Sequence, residues 1–196
     1  MISGKRSRRM ILYIDGAVRK ESRTRELADH LVKKINGQAE YVKLEKEKIL
    51  PLDDQTLSMR NDRVERRDFD APYFRYARQF AKADEIILCA PYWDLSSPAE
   101  VKAYLESICV TGLTFYYSDA GIPVGMCRAE RLYYVTTSRG TITEEAYGYG
   151  YVKALAQEMF GIREVILIKA ENLDIVGNDP AEILSEAKRE IDRRFF

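Results

Sequence analysis

Two hydroxyl side chains, Ser22 and Thr24, stand where a predicted helix begins, with Arg23 between them. The first backbone N–H groups of a helix have no partner within it, so together with hydroxyls they can bind an anion. This segment therefore has the chemistry of a phosphate site, although Ser and Thr are also ordinary helix caps. The chain contains neither GxGxxG nor GxxxxGK[ST], which excludes a dinucleotide Rossmann loop and a P-loop.

A second candidate segment, residues 91–95, combines two aromatic rings, Tyr92 and Trp93, with Asp94 and Leu95. It follows a predicted strand, and its aromatic rings lie between two prolines, Pro91 and Pro98, that stiffen the loop. Aromatic side chains at the end of a strand suit a planar heteroaromatic ligand. The alternative is an aromatic plug that only covers the core.

The third segment reads Ser138, Arg139, Gly140, Thr141 and also follows a predicted strand. Gly140 allows a ligand to approach the backbone closely, and the hydroxyl and N–H groups can bond ring carbonyls. Taken alone, such a segment is equally consistent with an ordinary loop that binds no ligand. Three segments of this kind at one edge of a sheet indicate a ligand site.

Apolar runs that alternate with helical patterns predict the elements that position these segments. This alternation favours a parallel sheet covered on both faces. In such sheets ligands bind at the carboxyl ends of the strands, where the three segments would meet. The predicted strands are residues 10–14, 40–44, 85–90, 132–137 and 165–169, and the later predicted helices include 72–82, 150–160 and 180–194.

Two further stretches interrupt the alternation. Residues 45–70 alternate charges with few apolar side chains, which indicates an exposed excursion of loop and helix. We interpret it as a solvated face, with substrate contact or dimerisation as alternatives. Residues 114–117 and 122–124 flank a turn-rich segment and predict a small hairpin.

Composition and charge exclude several classes of protein. A chain of 196 residues that is 46% hydrophobic can fill one core, so we expect a single α/β domain at residues 10–196. Lys plus Arg and Asp plus Glu both number 31, and this balance gives no field for a nucleic-acid partner. No apolar run approaches the roughly 20 residues of a membrane span, so no membrane partner is expected. Residues 1–9 are predicted to form a basic N-terminal arm, with disorder as one alternative, and no function is assigned to it.

The cysteines and the single histidine argue against a metal site. Cys89, Cys109 and Cys127 form no CxxC pair and are odd in number, and His30 stands alone. A zinc site is therefore not expected. We interpret the cysteines as reduced thiols of a cytoplasmic protein, with a redox-active cysteine as the alternative.

Taken in order, the segments resemble the FMN-dependent NADH:quinone oxidoreductases, the azoreductase and DT-diaphorase-like branch of the flavodoxin-like superfamily. The likeness covers roughly residues 10–174. Residues 21–24 (Glu-Ser-Arg-Thr) are similar to the family's SxS phosphate turn, 90–94 (Ala-Pro-Tyr-Trp-Asp) to its P-M-Y-N-F loop, and 138–140 to its SRG. Residues 98–104 and 112–117 are similar to P-A-x-L-K-x-Y and G-x-T-F-x-Y, and 160–162 to the segment before the last strand.

The resemblance implies a flavodoxin-like three-layer α/β sandwich whose five-stranded parallel sheet has the order 2-1-3-4-5. It also implies transfer of a hydride from NADH or NADPH through bound FMN to a quinone or azo acceptor, in a homodimer whose pocket is completed across the interface. It implies no catalytic side chain, because the flavin carries the chemistry. The cofactor-binding residues it implies are Asp15, Ser22, Arg23, Thr24, Pro91, Tyr92, Trp93, Asp94, Leu95, Ser138, Arg139, Gly140 and Thr141.

The chain departs from the family pattern at several positions. Thr141 and Thr143 stand where the family commonly has a second glycine and a histidine, so no histidine role carries over. The serine often found at the end of the first strand is also missing, since the chain has Asp15 there. An ionised Asp94 would repel a negatively charged reduced ring, unless it pairs with Arg139 or accepts from the ring's N3–H.

Three other classes of protein share the predicted topology. A flavodoxin-type electron carrier would have an acidic surface, which a net charge of zero does not supply. A receiver domain usually needs paired carboxylates after its first strand. A degenerate family member would bind flavin poorly and act by protein interaction. Consumption of NADH without an acceptor protein separates the oxidoreductase from all three.

Overall fold

A five-stranded parallel sheet forms the centre of the protein, as described by a computed structural model of residues 9–195. The strands are β1 Met10–Asp15, β2 Gln38–Lys43, β3 Glu85–Cys89, β4 Phe115–Tyr117, β5 Pro123–Gly125, β6 Arg131–Thr137 and β7 Glu164–Ala170. The central sheet has the order β2-β1-β3-β6-β7, while β4 and β5 pair antiparallel as a separate hairpin. The predicted sheet order and the predicted hairpin are therefore both confirmed.

Helices cover both faces of this sheet. They are α1 Arg23–Lys34, α2 Leu44–Glu47, α3 Asp54–Glu65, α4 Arg75–Lys82, α5 Ala99–Ile108, α6 Tyr151–Ala154 and α7 Pro180–Phe195. A 3-10 turn, Pro72–Phe74, precedes α4, and π-helical turns at Ala146–Gly150 and Leu155–Met159 flank α6. The helix predicted at residues 150–160 thus begins earlier than expected, through a wider turn that contains two glycines.

Successive residues of the central strands β1, β3 and β6 fill two separate cores, one on each face of the sheet. Leu12 and Ile14 of β1 pack in the core that α4, α5 and α6 share, whereas Ile11 and Tyr13 pack with α1 and α7. The strands β3 and β6 alternate in the same way. Because both faces are covered, each central strand forms a continuous apolar run, which is the pattern that the sequence showed.

The charged excursion between β2 and the 3-10 turn contains α2 and α3. No residue of α3 is buried, which agrees with the predicted exposed excursion. Asp53 caps the helix in a reciprocal pair of hydrogen bonds with Thr56. Arg60 fixes the helix to the protein, because its guanidinium donates to the backbone carbonyls of Glu106 and Cys109 near the end of α5.

The strand order reverses between β1 and β3, which lie side by side in the sheet. A crevice opens at such a point, outside the carboxyl ends of the strands. Gly16 brings the first loop close to β3, because its N–H donates to the carbonyl of Cys89 at 2.8 Å and a Cβ there would overlap Val101. The loops that leave this edge of the sheet are residues 16–22, 90–98, 138–145 and 171–179.

The predicted basic arm, residues 1–9, lies outside the described residues apart from Arg9, and residue 196 lies outside them as well. The Nη1 of Arg9 donates to Oε1 of Glu85 at 2.8 Å. Between residues 9 and 195, no helix combines the length and the apolar character needed to cross a membrane.

Candidate functional site

Loops from the carboxyl edge of the sheet enclose one open cleft of about 1100 Å³. The loops after β1, β3 and β6 line it, together with Leu173 and Asp174 after β7. Every predicted site residue except Asp15 and Leu95 contributes to this lining. The cleft is slightly larger than the roughly 300–1,000 Å³ that small-molecule sites occupy. The three segments singled out in the sequence therefore form a single site.

Asp15 lies beneath the cleft and not in its lining. Its side chain is only 1% exposed, and its Oδ2 accepts from Nε of Arg25 at 2.6 Å. Its Oδ1 accepts from the N–H of Ala17 at 3.0 Å. Sequence reasoning missed Arg25, although a carboxylate at the end of a strand buried on both faces requires a cationic partner. The role that the structure gives Asp15 is to shape the loop after β1.

Arg25 gathers the loop after β1 around its guanidinium group. Its Nη1 donates to the carbonyl of Arg19 at 2.8 Å and to that of Lys20 at 3.0 Å, and its Nη2 donates to the carbonyl of Ala17. Burial lowers the pKa of Arg25, but the hydrogen bond and the charge of Asp15, together with Cys89 and Tyr13, raise it above its ordinary value, so the guanidinium stays charged. One side chain thus holds most of the loop.

The first turn of α1 offers free backbone N–H groups to the cleft. Ser22 is the N-cap, and its Oγ accepts from the N–H of Arg25 at 3.2 Å. The N–H groups of Arg23 and Thr24 have no hydrogen-bond partner among residues 9–195. Capping and anion binding are therefore compatible here, because Ser22 uses its side chain for one while two N–H groups remain for the other.

The side chain of Thr24 is buried and pairs with a neighbouring hydroxyl. The residue is 2% exposed, and its Oγ1 lies 2.6 Å from Oγ1 of Thr137 at the end of β6. This hydrogen bond joins the start of α1 to the central sheet. The hydroxyl of Thr24 is therefore occupied by the protein, and its N–H is what it can give to a ligand.

Replacing Thr24 with valine is expected to lower the free energy of unfolding by about 1–3 kcal/mol, because the buried hydroxyl of Thr137 then lacks a partner. Urea unfolding measures this loss. The Thr137→Val variant should lose a similar amount, whereas the double variant should be closer to wild type, since it leaves no unpaired hydroxyl. Strictly additive losses would contradict the assigned contact.

The loop after β3 ends in a tight turn. The backbones of Trp93 and Ser96 exchange hydrogen bonds of 2.9 and 2.7 Å, and Asp94 and Leu95 between them have φ angles of 49° and 67°. Two successive positive φ angles are the pattern of a type I′ turn. The turn leaves Trp93 at the cleft with 37% of its surface exposed, while Leu95 lies outside the lining.

The loop after β6 turns its carbonyl groups away from the cleft. The carbonyl oxygens of residues 138–140 accept from the N–H groups of residues 172–174 at 2.9–3.3 Å. In the described part of the chain, the N–H groups of residues 139–141 have no hydrogen-bond partner. Gly140 lines the cleft, and a Cβ there would have no heavy atom within 4 Å. The loop therefore offers N–H donors beside open space, which suits the carbonyl groups of a heterocyclic ring.

Asp174 pairs with two arginines from different loops. Its Oδ1 accepts from Nη1 of Arg23 at 2.5 Å, and its Oδ2 accepts from Nε of Arg139 at 2.8 Å. The hydrogen bond from Arg23, and then that from Arg139, hold the pKa of Asp174 below its ordinary value. Arg139 is thus paired with Asp174 and not with Asp94, which has no ion pair within residues 9–195. Sequence reasoning missed Asp174, although the end of the last predicted strand lies at this edge.

All three cysteines are free thiols. Burial raises the pKa of Cys127 to about 12, and it also raises the pKa of Cys109 and of Cys89. A thiol reacts as a nucleophile through its thiolate, which these environments disfavour. The structure therefore supports the interpretation of inert, reduced cysteines over that of a redox-active one.

The family of the chain follows from comparison with known sequences. Residues 9–195 match the model of a family that is described by its flavodoxin-like fold. An FMN-dependent NADH:quinone oxidoreductase of Lachnoclostridium phytofermentans is 34% identical over 187 residues, covering 91% of this chain and 93% of the relative. FMN-dependent NADH:quinone oxidoreductase 2 of Clostridium acetobutylicum is also 34% identical, over 89% of this chain and 92% of its own. The chain belongs to this family of flavodoxin-like proteins, which confirms the resemblance found in its motifs.

Solved structures show the same fold. The azoreductase of Bacillus anthracis strain Sterne superposes with a TM-score of 0.81 at 19% identity, covering 94% of this chain and 97% of that one. A FMN-dependent NADH-azoreductase of Bacillus anthracis in complex with FMN superposes with a TM-score of 0.77 at 20% identity, covering 94% and 96%. At this identity the likeness concerns the fold, and it agrees with the sheet order described above.

Proposed function

We propose that the protein is an FMN-dependent oxidoreductase, which takes a hydride from NADH or NADPH and passes two electrons to a quinone or azo compound. One observation carries the proposal: loops far apart in the chain converge on one cleft, and two sets of residues in its lining have unpaired N–H groups within the described part of the chain. The relatives named for FMN-dependent NADH:quinone oxidoreduction align over nearly the whole chain, which supports the same activity here.

The lining residues fit the chemical parts of FMN. The free N–H groups of Arg23 and Thr24 at the start of α1 suit its phosphate, with Arg23 close by as a cation. Tyr92 and Trp93 give flat apolar surface for the ring, and residues 138–141 give N–H donors for the ring's polar edge. When bound, FMN supplies the two-electron hydride chemistry.

The protein's own contribution is positioning. The turn at Asp94 and Leu95 fixes Trp93, and the hydrogen bonds of residues 138–140 to residues 172–174 fix the facing loop. Walls held in this way keep their dipoles oriented before a ligand arrives, so little reorganisation is needed when charge develops. No protein nucleophile is part of the proposal, and the three buried thiols are not used.

A homodimer is also part of the proposal. The hairpin of β4 and β5 carries exposed apolar side chains at Tyr116, Tyr117 and Ile122, which are 46–62% exposed. The exposed helix α3 adds Leu57 and Met59. Exposed apolar surfaces of this kind are commonly covered by a partner. Light scattering of the purified protein measures its mass in solution and so distinguishes a dimer from a monomer. The free thiols suit a reducing compartment, so a cytoplasmic location is proposed as well.

The test is an absorbance spectrum of the purified protein with and without FMN, followed by anaerobic titration with NADH and with NADPH. We expect a flavin spectrum that one nucleotide bleaches stoichiometrically and that a quinone restores. A bound flavin that neither nucleotide reduces would show that the protein is an electron carrier and not an NAD(P)H-dependent enzyme. Absence of flavin uptake would leave a domain that acts by protein interaction.

A further inference from the structure

We propose that Arg25, which lines the cleft, is a positioning residue for phosphate: its guanidinium group donates to Asp15 and to three loop carbonyls, and it thereby holds the loop after β1 with its N–H groups available to an anion. The inference rests on the proposed function, since the phosphate concerned is that of FMN. Three features carry it: the neutralised carboxylate of Asp15, the direction of the loop carbonyls and the geometry of a guanidinium group.

The first feature is the charge of Asp15 below the cleft. A buried, unpaired carboxylate below an anion site would repel the anion, because burial leaves little water to screen its charge. The Nε of Arg25 lies 2.6 Å from Oδ2 of Asp15, and the side chain of Arg25 is itself only 18% exposed. The pair is therefore locally neutral. Without Arg25, the loop would present a negative charge to an anionic ligand.

The second feature is the direction of the peptide groups. The carbonyl oxygens of Ala17, Arg19 and Lys20 all accept from Arg25 and so point towards it. In a trans peptide the N–H of the next residue points the opposite way. The N–H groups of residues 18, 20 and 21 are therefore directed away from Arg25, and among the described residues they have no partner. All three residues line the cleft.

The third feature explains why the residue is arginine. One guanidinium group reaches four acceptors, namely the Asp15 carboxylate and the three loop carbonyls. Its donors are spread over three nitrogens in a rigid plane, whereas lysine concentrates three donors on a single nitrogen. Lysine at this position could neutralise Asp15, but it could not orient three carbonyls at once. Charge and orientation are thus separable by substitution.

The experiment compares the affinities of FMN and riboflavin, which share the ring but differ in the phosphate, by fluorescence titration of apoprotein. We expect Arg25→Lys to lower the affinity for FMN by about 10–100-fold, which corresponds to the loss of one or two charge-assisted hydrogen bonds. The affinity for riboflavin should change by less than about 3-fold, because the ring is expected to contact the loops after β3 and β6. Arg163→Lys, the same chemical change at an exposed position before β7, is the matched control and should change neither affinity.

A second variant guards against a loss of folding. Asp15→Asn with Arg25→Gln removes both charges together, so no uncompensated charge is left buried. Circular dichroism should show a folded protein, and the affinity for riboflavin should equal that of the wild type. The affinity for FMN should remain reduced, because the loop carbonyls are no longer held. Equal weakening of FMN and riboflavin, or unchanged FMN affinity in both variants, would overturn the inference alone. Failure of the wild-type protein to bind FMN would overturn the proposed function and the inference with it.

Discussion

Replacement of Gly140 by valine should weaken FMN binding by at least about 100-fold while leaving the protein folded. Gly140 lines the cleft in the loop whose N–H groups are unpaired, and its φ angle is not among the positive ones. A Cβ there would meet no heavy atom of the protein within 4 Å. It would instead occupy the space that the ring requires and block the neighbouring N–H donors. Overpacking and lost hydrogen bonds together predict a weakening of at least about 100-fold.

Flavin fluorescence titration measures this affinity, and thermal unfolding measures the stability of the same samples. The Gly140→Ala variant is the graded control, because one methyl group intrudes less, and about 10-fold weakening is expected. Both variants should unfold at the wild-type temperature, since the added atoms meet open space. If Gly140→Val binds FMN as tightly as wild type, the ring does not lie against this loop.

The second large effect is expected at Gly125 in β5, where replacement by alanine should lower the stability of the fold. A Cβ there would fall within 3.0 Å of the backbone nitrogen of Gly161 and of the carbonyl group of Phe160. Backbone atoms cannot move aside as a side chain can, so the hairpin must separate from the segment before β7. We expect Gly125→Ala to cost about 3 kcal/mol, at the upper end of overpacking, and to lower Tm by roughly 6–12 °C.

Gly121 at the tip of the same hairpin provides the control for this prediction. It has a φ of +73°, but a Cβ there would meet nothing within 4 Å. Gly121→Ala should therefore cost only the strain of a left-handed conformation, about 1–2 kcal/mol. Urea unfolding of both variants distinguishes backbone overlap from strain. Equal losses in the two variants would show that the close approach of Gly125 to Phe160 is absent in solution.

Much of the fold was predictable because burial on both faces of a sheet has a simple signature. The continuous apolar runs at β1, β3 and β6 located the central strands, and the helical spacing between them implied parallel connections. Parallel strands end at one edge, so the convergence of the three loops followed without knowledge of any contact. The turn residues between β4 and β5 likewise marked the hairpin.

Contacts between side chains could not be predicted in this way. The partners of Asp174 lie 151 and 35 residues away, and nothing local indicates that one carboxylate serves both Arg23 and Arg139. The turn at Asp94 and Leu95 has positive φ angles without a glycine to signal them. Asp15 resembled a site residue because it ends a strand, and only the structure assigns it to Arg25. The binding roles of the lining residues stay predictions until a ligand is measured.

The shared carboxylate of Asp174 has a consequence for the charge at one corner of the cleft. Two guanidinium groups there divide one negative charge between them, so the three side chains together carry one net positive charge. Over the whole lining the charges balance, because the five basic side chains of Arg19, Lys20, Arg23, Arg25 and Arg139 stand against the five acidic ones of Glu21, Glu26, Asp29, Asp94 and Asp174. The positive corner therefore acts only at short range, within about one Debye length, roughly 8 Å at physiological ionic strength. It favours one orientation of an anionic ligand inside the cleft and does not speed its arrival.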